Sequence, residues 1–148
     1  MRIKYSNVLT FIVIFASLAS AMAVTGALTF SRKIDNTGRL KAVNVEIYSD
    51  SACTQPLSSI DWGDLEPGSV KNRTIYIKNS GNTGLKLSLT TSGWSPSSAS
   101  NYITLSWNRE GVNISSGSTI SATLTLSVSS SISDITTFSF NIIIQGTG

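Results

Sequence analysis

The chain has 148 residues, with 11 Lys and Arg against 8 Asp and Glu and no histidine. The missing imidazole removes the commonest general base and metal ligand, so Ser-His and Cys-His nucleophile pairs are excluded and zinc or copper centres disfavoured. The net charge of +3 comes without any cluster of Lys or Arg, which argues against a nucleic-acid partner.

Met1-Arg2-Ile3-Lys4 carries two positive charges, and residues 8–30 follow without a charged side chain. A basic start before an apolar run is the pattern that export machinery reads. The protein is therefore expected outside the cell or on its surface, secreted or single-pass membrane-anchored. Ala19-Ser20-Ala21 and Ala21-Met22-Ala23 both fit a signal peptidase, and cutting at the second makes residues 1–23 a signal peptide. Kept whole, the run 8–30 is a hydrophobic helix of roughly 35 Å at about 1.5 Å per residue, enough to cross a bilayer. Arg2 and Lys4 on one side are matched by Arg32 and Lys33 on the other, so charge does not choose between cleavage and anchoring. Loss of Arg2 and Lys4 with the leader leaves 9 basic against 8 acidic residues.

Residues 24–37 form an arm or stalk. Leu28, Phe30 and Ile34 make the segment partly apolar, with Leu40 just beyond it. Beside a retained anchor it is a stalk. After cleavage it is a free arm that can add as a strand to the exposed sheet edge of a neighbour.

From Gly38 to the end the hydrophobic period is two. Val43, Val45 and Ile47 alternate with polar residues, as do Ile75 and Ile77, then Leu85, Leu87 and Leu89. The pattern continues through Ile103, Leu105 and Trp107, then Ile120, Ala122, Leu124, Leu126 and Val128, and closes with Phe138, Phe140, Ile142 and Ile144. One apolar and one polar face per strand marks antiparallel sheets with a wet side. Gly, Pro, Asn and Ser punctuate the series at residues 66–69, 80–84, 92–96, 109–111 and 116–118. Ser and Thr make up roughly three residues in ten, a hydroxyl-rich surface that suits strands. No segment after the leader reads as a helix of three turns, although 96–100 suits one short turn. The expected fold of 38–148 is all-β, an antiparallel two-sheet sandwich of about seven strands preceded by the N-terminal hydrophobic helix. Cys53 is the only cysteine, so no disulfide bridges the sheets. An antibody-type domain is thereby excluded, while Ig/fibronectin-like and jelly-roll topologies both remain.

Few residues suggest a site. Asp61, Asp64 and Glu66 lie close in sequence, but their spacing is not that of a calcium loop, and a hydrated acidic turn accounts for them. Neither Asp50 nor Asp134 is spaced from Asp61 in a way that marks a glycosidase pair. Trp62, Trp94 and Tyr102 are candidates for an aromatic platform under a glycan, whereas Trp107 is in phase with the core. Trp94 sits in a Gly/Ser/Pro segment where it can equally cap the open end of the sandwich. Asn72-Arg73-Thr74 and Asn113-Ile114-Ser115 are N-glycosylation sequons whose asparagines fall on the polar faces. No catalytic, metal or cofactor-binding constellation is readable, and no enzymatic activity is expected.

The apolar leader, Phe30 soon after it, Gly38-Arg39-Leu40, Leu65-Glu66-Pro67-Gly68 and Asn79-Ser80-Gly81-Asn82 follow one another over about residues 26–90. In order and spacing this resembles the TasA/camelysin type of biofilm-fibre subunit and the related archaeal bundling-pilus subunits, which are exported β-sandwich proteins of prokaryotic surfaces. The chain lacks the long charged insertions in the later half of the bacterial members. The resemblance implies a jelly-roll-like subunit whose arm completes the next subunit's sheet, with no activity and no cofactor. Two functions are thus expected in competition. One is a filament or matrix subunit that self-associates through about residues 27–40. The other is a secreted or membrane-anchored module that binds a glycan or another surface protein through Trp62, Trp94 and Tyr102, or, with 8–30 retained, serves as the ectodomain of a larger complex.

Overall fold

The computed structural model describes residues 35–148. The expected leader, its hydrophobic helix and the arm as far as Ile34 lie outside the described residues. Among the described residues, no helix is long and apolar enough to cross a membrane.

Nine strands make up the described residues: β1 (Asp35–Val43), β2 (Glu46–Tyr48), β3 (Ser59–Asp61), β4 (Val70–Lys78), β5 (Leu85–Ser95), β6 (Ile103–Trp107), β7 (Asn113–Ile114), β8 (Thr119–Val128) and β9 (Thr137–Thr147). The expected count was about seven; β3 and β7 are too short, at three and two residues, to leave a periodic signal. The one helical piece is a 3-10 turn at Ser97–Asn101, where a short turn was anticipated.

The strands form two sheets, ordered β3-β1-β9-β5-β7 and β2-β4-β8-β6. One pairing departs from the antiparallel expectation: β1 runs parallel to β9, from Asp35↔Thr137 to Val43↔Gln145. These are the first and last strands described, joined by everything between them, so no hairpin dictates their direction. Strand β1 also opens at Asp35, so residues 35–37, assigned to the arm by sequence, belong to the sheet.

Two further expectations are corrected. Val43, Val45 and Ile47 do not share a strand. The backbone turns at Asn44, whose φ is +61°, and its side-chain amide donates to the Gly146 carbonyl at 3.1 Å. There the chain leaves one sheet for the other; Val43 ends 40 % exposed while Val45 and Ile47 are buried. Residues 92–96 are likewise not a turn between strands. Strand β5 runs on through Gly93, φ +62°, with its register against β9 shifting between Ser92 and Ser95. That shift is a β-bulge, which a glycine at positive φ accommodates.

Both sheets contribute to one buried cluster. Ile75, Ile77, Leu124 and Leu126 come from the four-stranded sheet, and Leu87, Phe140, Ile142 and Ile144 from the five-stranded one. The period-two pattern had assigned these inward positions, and each apolar side chain so buried contributes roughly 1.5–3 kcal/mol. Asn79 is the fully buried polar exception. Its amide nitrogen donates to the carbonyls of Thr83 (2.7 Å) and Ile114 (3.3 Å), and its oxygen accepts from the Gly81 N–H (2.9 Å). Its backbone is also held, with its N–H on the Ser118 carbonyl and its carbonyl accepting from Gly117.

Candidate functional site

The aromatic platform is not assembled. Trp62 is fully buried, so it has no face to offer a sugar ring. A slot in β1 admits it: a Cβ on Gly38 would lie 3.2 Å from the indole nitrogen and 3.0 Å from Ile142 Cδ1. Trp94 is half-buried and lies parallel to Phe140, with ring centroids 4.2 Å apart and planes 3° off parallel, and it also stacks on Phe138. Its Nε1–H donates to Thr91 Oγ1 at 3.3 Å. This is the capping role, with the indole closing over buried phenylalanines. Tyr102 is half-buried against the same core. Trp107, assigned to the core, packs against it but stays half-buried.

The acidic turn is a structural feature in its own right. Asp61 Oδ1 accepts the Gly63 N–H at 2.8 Å, and the Asp61 carbonyl accepts both Nε and Nη2 of Arg73 at 3.3 and 3.2 Å. No group of three carboxylate or thiol side chains suited to a metal is found among the described residues. An open polar cleft of about 450 Å³ runs along Asn36, Thr37, Ser59, Asp61, Gly63 and Asp64. Asp50 is committed elsewhere: its carboxylate accepts the N–H of Thr54 (3.0 Å), the N–H of Gln55 (2.8 Å) and the Thr54 hydroxyl (2.8 Å). Desolvation pushes this carboxyl up, but the bonds from Gln55 and Thr54 outweigh it and hold it below its ordinary value. Glu46 is likewise held low, by hydrogen bonds from the Ser80 hydroxyl at 2.6 Å and the Tyr48 hydroxyl at 2.9 Å.

Asn72 and Asn113 are both exposed, in β4 and β7. The Asn72 oxygen accepts the Thr125 hydroxyl at 2.8 Å. Cys53 is partly buried at φ +55°, its sulfur 3.5 Å from Thr119 Oγ1. Leu40, the one donor-arm residue among those described, lies in β1 and packs half-buried on its own core. Leu28, Phe30 and Ile34 lie outside the described residues.

What the fold presents instead is a set of sheet edges. Edge β3 has three residues, and edge β7 has two. Edge β2 also has three, and the loop after it folds back along it: Ser49 N–H to Gln55 C=O, Leu57 N–H to Ile47 C=O, and a bridge between Tyr48 and Pro56. Edge β6 pairs with β8 and with no other strand among the described residues. Its five residues, Ile103-Thr104-Leu105-Ser106-Trp107, include no charge, proline or glycine. Sequence reasoning found this strand but not its exposure. An uncharged alternating run without proline is the only local signal, since edge position is decided by distant pairing. No protein-family model matches the chain, and no curated protein matches it.

Proposed function

We propose that the two sheets form a β-sandwich of the Ig/fibronectin-like or jelly-roll kind, and that the protein is an exported structural component of the cell surface. In this reading it is a filament or matrix subunit, and the N-terminal arm of one copy adds as a strand to a sheet of the next. The shared core supports the sandwich, and the basic start and apolar run of the first thirty residues support export.

The parallel register of β1 on β9 carries the assembly reading. It begins at Asp35↔Thr137, the first residue of both strands, and β3 reaches only Thr37 to Arg39. Upstream of Asp35 the sequence places Leu28, Phe30, Arg32 and Ile34 on even positions, in phase with the inward-facing Asn36, Gly38 and Leu40. A period-two pattern, apolar at three of these four positions and interrupted at Arg32, therefore continues in the sequence upstream of the point where β9 supplies a partner. Each backbone hydrogen bond regained on a neighbour contributes about 1 kcal/mol net. A buried Phe30 or Ile34 would add roughly 1.5–3 kcal/mol.

The test is intact mass and negative-stain imaging of the protein recovered from the cell surface. Fibres, with a mass beginning near Met22 or Val24, are expected. Membrane-bound monomers that retain Met1 and form no fibres would overturn the proposal in favour of an anchored ectodomain.

A further inference from the structure

On the reading that copies join by strand addition, we infer that the acceptor is the free edge of β6, which takes residues 28–34 of a second copy as a fifth strand of the four-stranded sheet. The other edges are each protected, including the part of β4 beyond β2, which carries Lys71 and Arg73, and the end of β1 beyond β3, which carries Lys41. Strands β3 and β7 are too short to template a strand of useful length, and the Asp61 carbonyl of β3 is already taken by Arg73. Strand β2 carries Glu46 and is covered by its own loop. The outer side of β5 beyond β7 is occupied as far as Leu89. Leu87 exchanges bonds with Val112 and Gly111, and the Leu89 N–H donates to Glu110 Oε2 at 3.1 Å. Past Leu89 it enters the bulge at Ser92–Ser95, an irregularity that spoils a ladder. Among the described residues, only β6 offers five regular edge residues with no such device.

The burial along β6 also points to an absent neighbour. Leu105 and Trp107 face the core but remain half-buried, whereas their register partners on β8, Leu126 and Leu124, are fully buried. An added strand lies about 4.8 Å away and covers that strip. Residues 28–34 fit: seven residues extend roughly 23 Å against about 17 Å for β6. Their even positions present Leu28, Phe30, Arg32 and Ile34 to the side of Leu105 and Trp107, the long Arg32 side chain reaching past the apolar strip to solvent. Their odd positions present Thr29, Ser31 and Lys33 to the solvent side, with the exposed Thr104 and Ser106.

Connectivity makes the donor a different molecule. Ile34 is one peptide, 3.8 Å, from Asp35, and Asp35 is paired in the other sheet, where packed sheets stand about 10 Å apart. No residues are left to carry the same chain's arm across to β6. Successive subunits are thus joined without a linker, which makes a stiff filament.

The experiment uses the full chain expressed with its own leader and recovered from the cell surface, as wild type and as Thr104→Lys/Ser106→Lys. Both side chains are exposed, so the variant should keep the fold; its circular dichroism and thermal midpoint are the control. The expected result is a critical concentration for polymerisation at least about tenfold higher than wild type. Amide hydrogen exchange provides a second readout that needs no variant, with 103–107 gaining protection in wild-type polymers relative to monomers. Polymers in which 103–107 exchange unchanged, or a double-lysine variant that polymerises like wild type, would overturn β6 as acceptor and leave strand addition standing. A wild type that never polymerises would overturn both.

Discussion

Trp62 is held in the core by Gly38. The indole is fully buried, and a side chain at residue 38 would press on it and on Ile142. Among the described residues its Nε1–H has no hydrogen-bond acceptor, a cost of about 1–3 kcal/mol in a buried group. Two substitutions separate the terms. Trp62→Ala should lose about 3–5 kcal/mol through the cavity it leaves. Trp62→Phe keeps most of the packing and removes the unpartnered donor, so its loss should stay below about 2 kcal/mol. Urea unfolding followed through Trp94 and Trp107 fluorescence measures both, and equal losses would contradict this account. Little in the order of residues hints at this arrangement. Trp62 stands among Asp61, Gly63 and Asp64, which read as a wet turn, and its slot is a glycine 24 positions earlier in the chain. The capping role of Trp94 was legible as one of two alternatives; its stacking on Phe140, 46 residues away, was not.

At the scale of elements, the long strands were legible because their inward residues are apolar and strictly alternate, as in β8 and β9. Strand β1 was not, since two of its inward positions are Asn36 and Gly38, which carry no hydrophobic signal. The Asn79-Ser80-Gly81-Asn82 run was legible as a turn after a strand, but not as the buried knot it forms. Asn79 ties the β4–β5 turn to the end of β7 and to the 115–118 turn, using both its side chain and its backbone. Asn79→Ala would strand the Thr83 and Ile114 carbonyls and the Gly81 N–H together. The expected loss is about 2–3 kcal/mol. Hydrogen exchange should quicken first at Gly81 and Gly117; a uniform change spread over both sheets would show that Asn79 acts only through global stability.

For the whole molecule, the two carboxyls held below their ordinary values both lie at the β2 edge, opposite in the sheet order to β6. Glu46 puts a charge on β2 itself, and Asp50 gathers Thr54 and Gln55 so that the loop folds back over the strand. A carboxyl whose folded-state pKa is depressed contributes stability that is fully present above its unfolded value. That contribution is lost as the pH falls through the folded one. The guard on β2 should therefore hold at neutral and mildly acidic pH and fail below about pH 4. Acid then uncovers a second, short edge, and subunits or fibres gain a lateral contact that they lack at pH 7. Light scattering should rise as the pH is lowered from 4 to 2.5 and reverse on neutralisation, and Asp50→Ala should move the onset toward neutral pH. If scattering instead rises only above pH 5, or if Asp50→Ala leaves the onset where it was, the loop does not guard the edge. On the proposed strand-addition reading, the β6 edge at neutral pH limits addition to one direction, and the three-residue β2 edge uncovered in acid adds only a weak lateral contact, which is why the scattering should reverse on neutralisation.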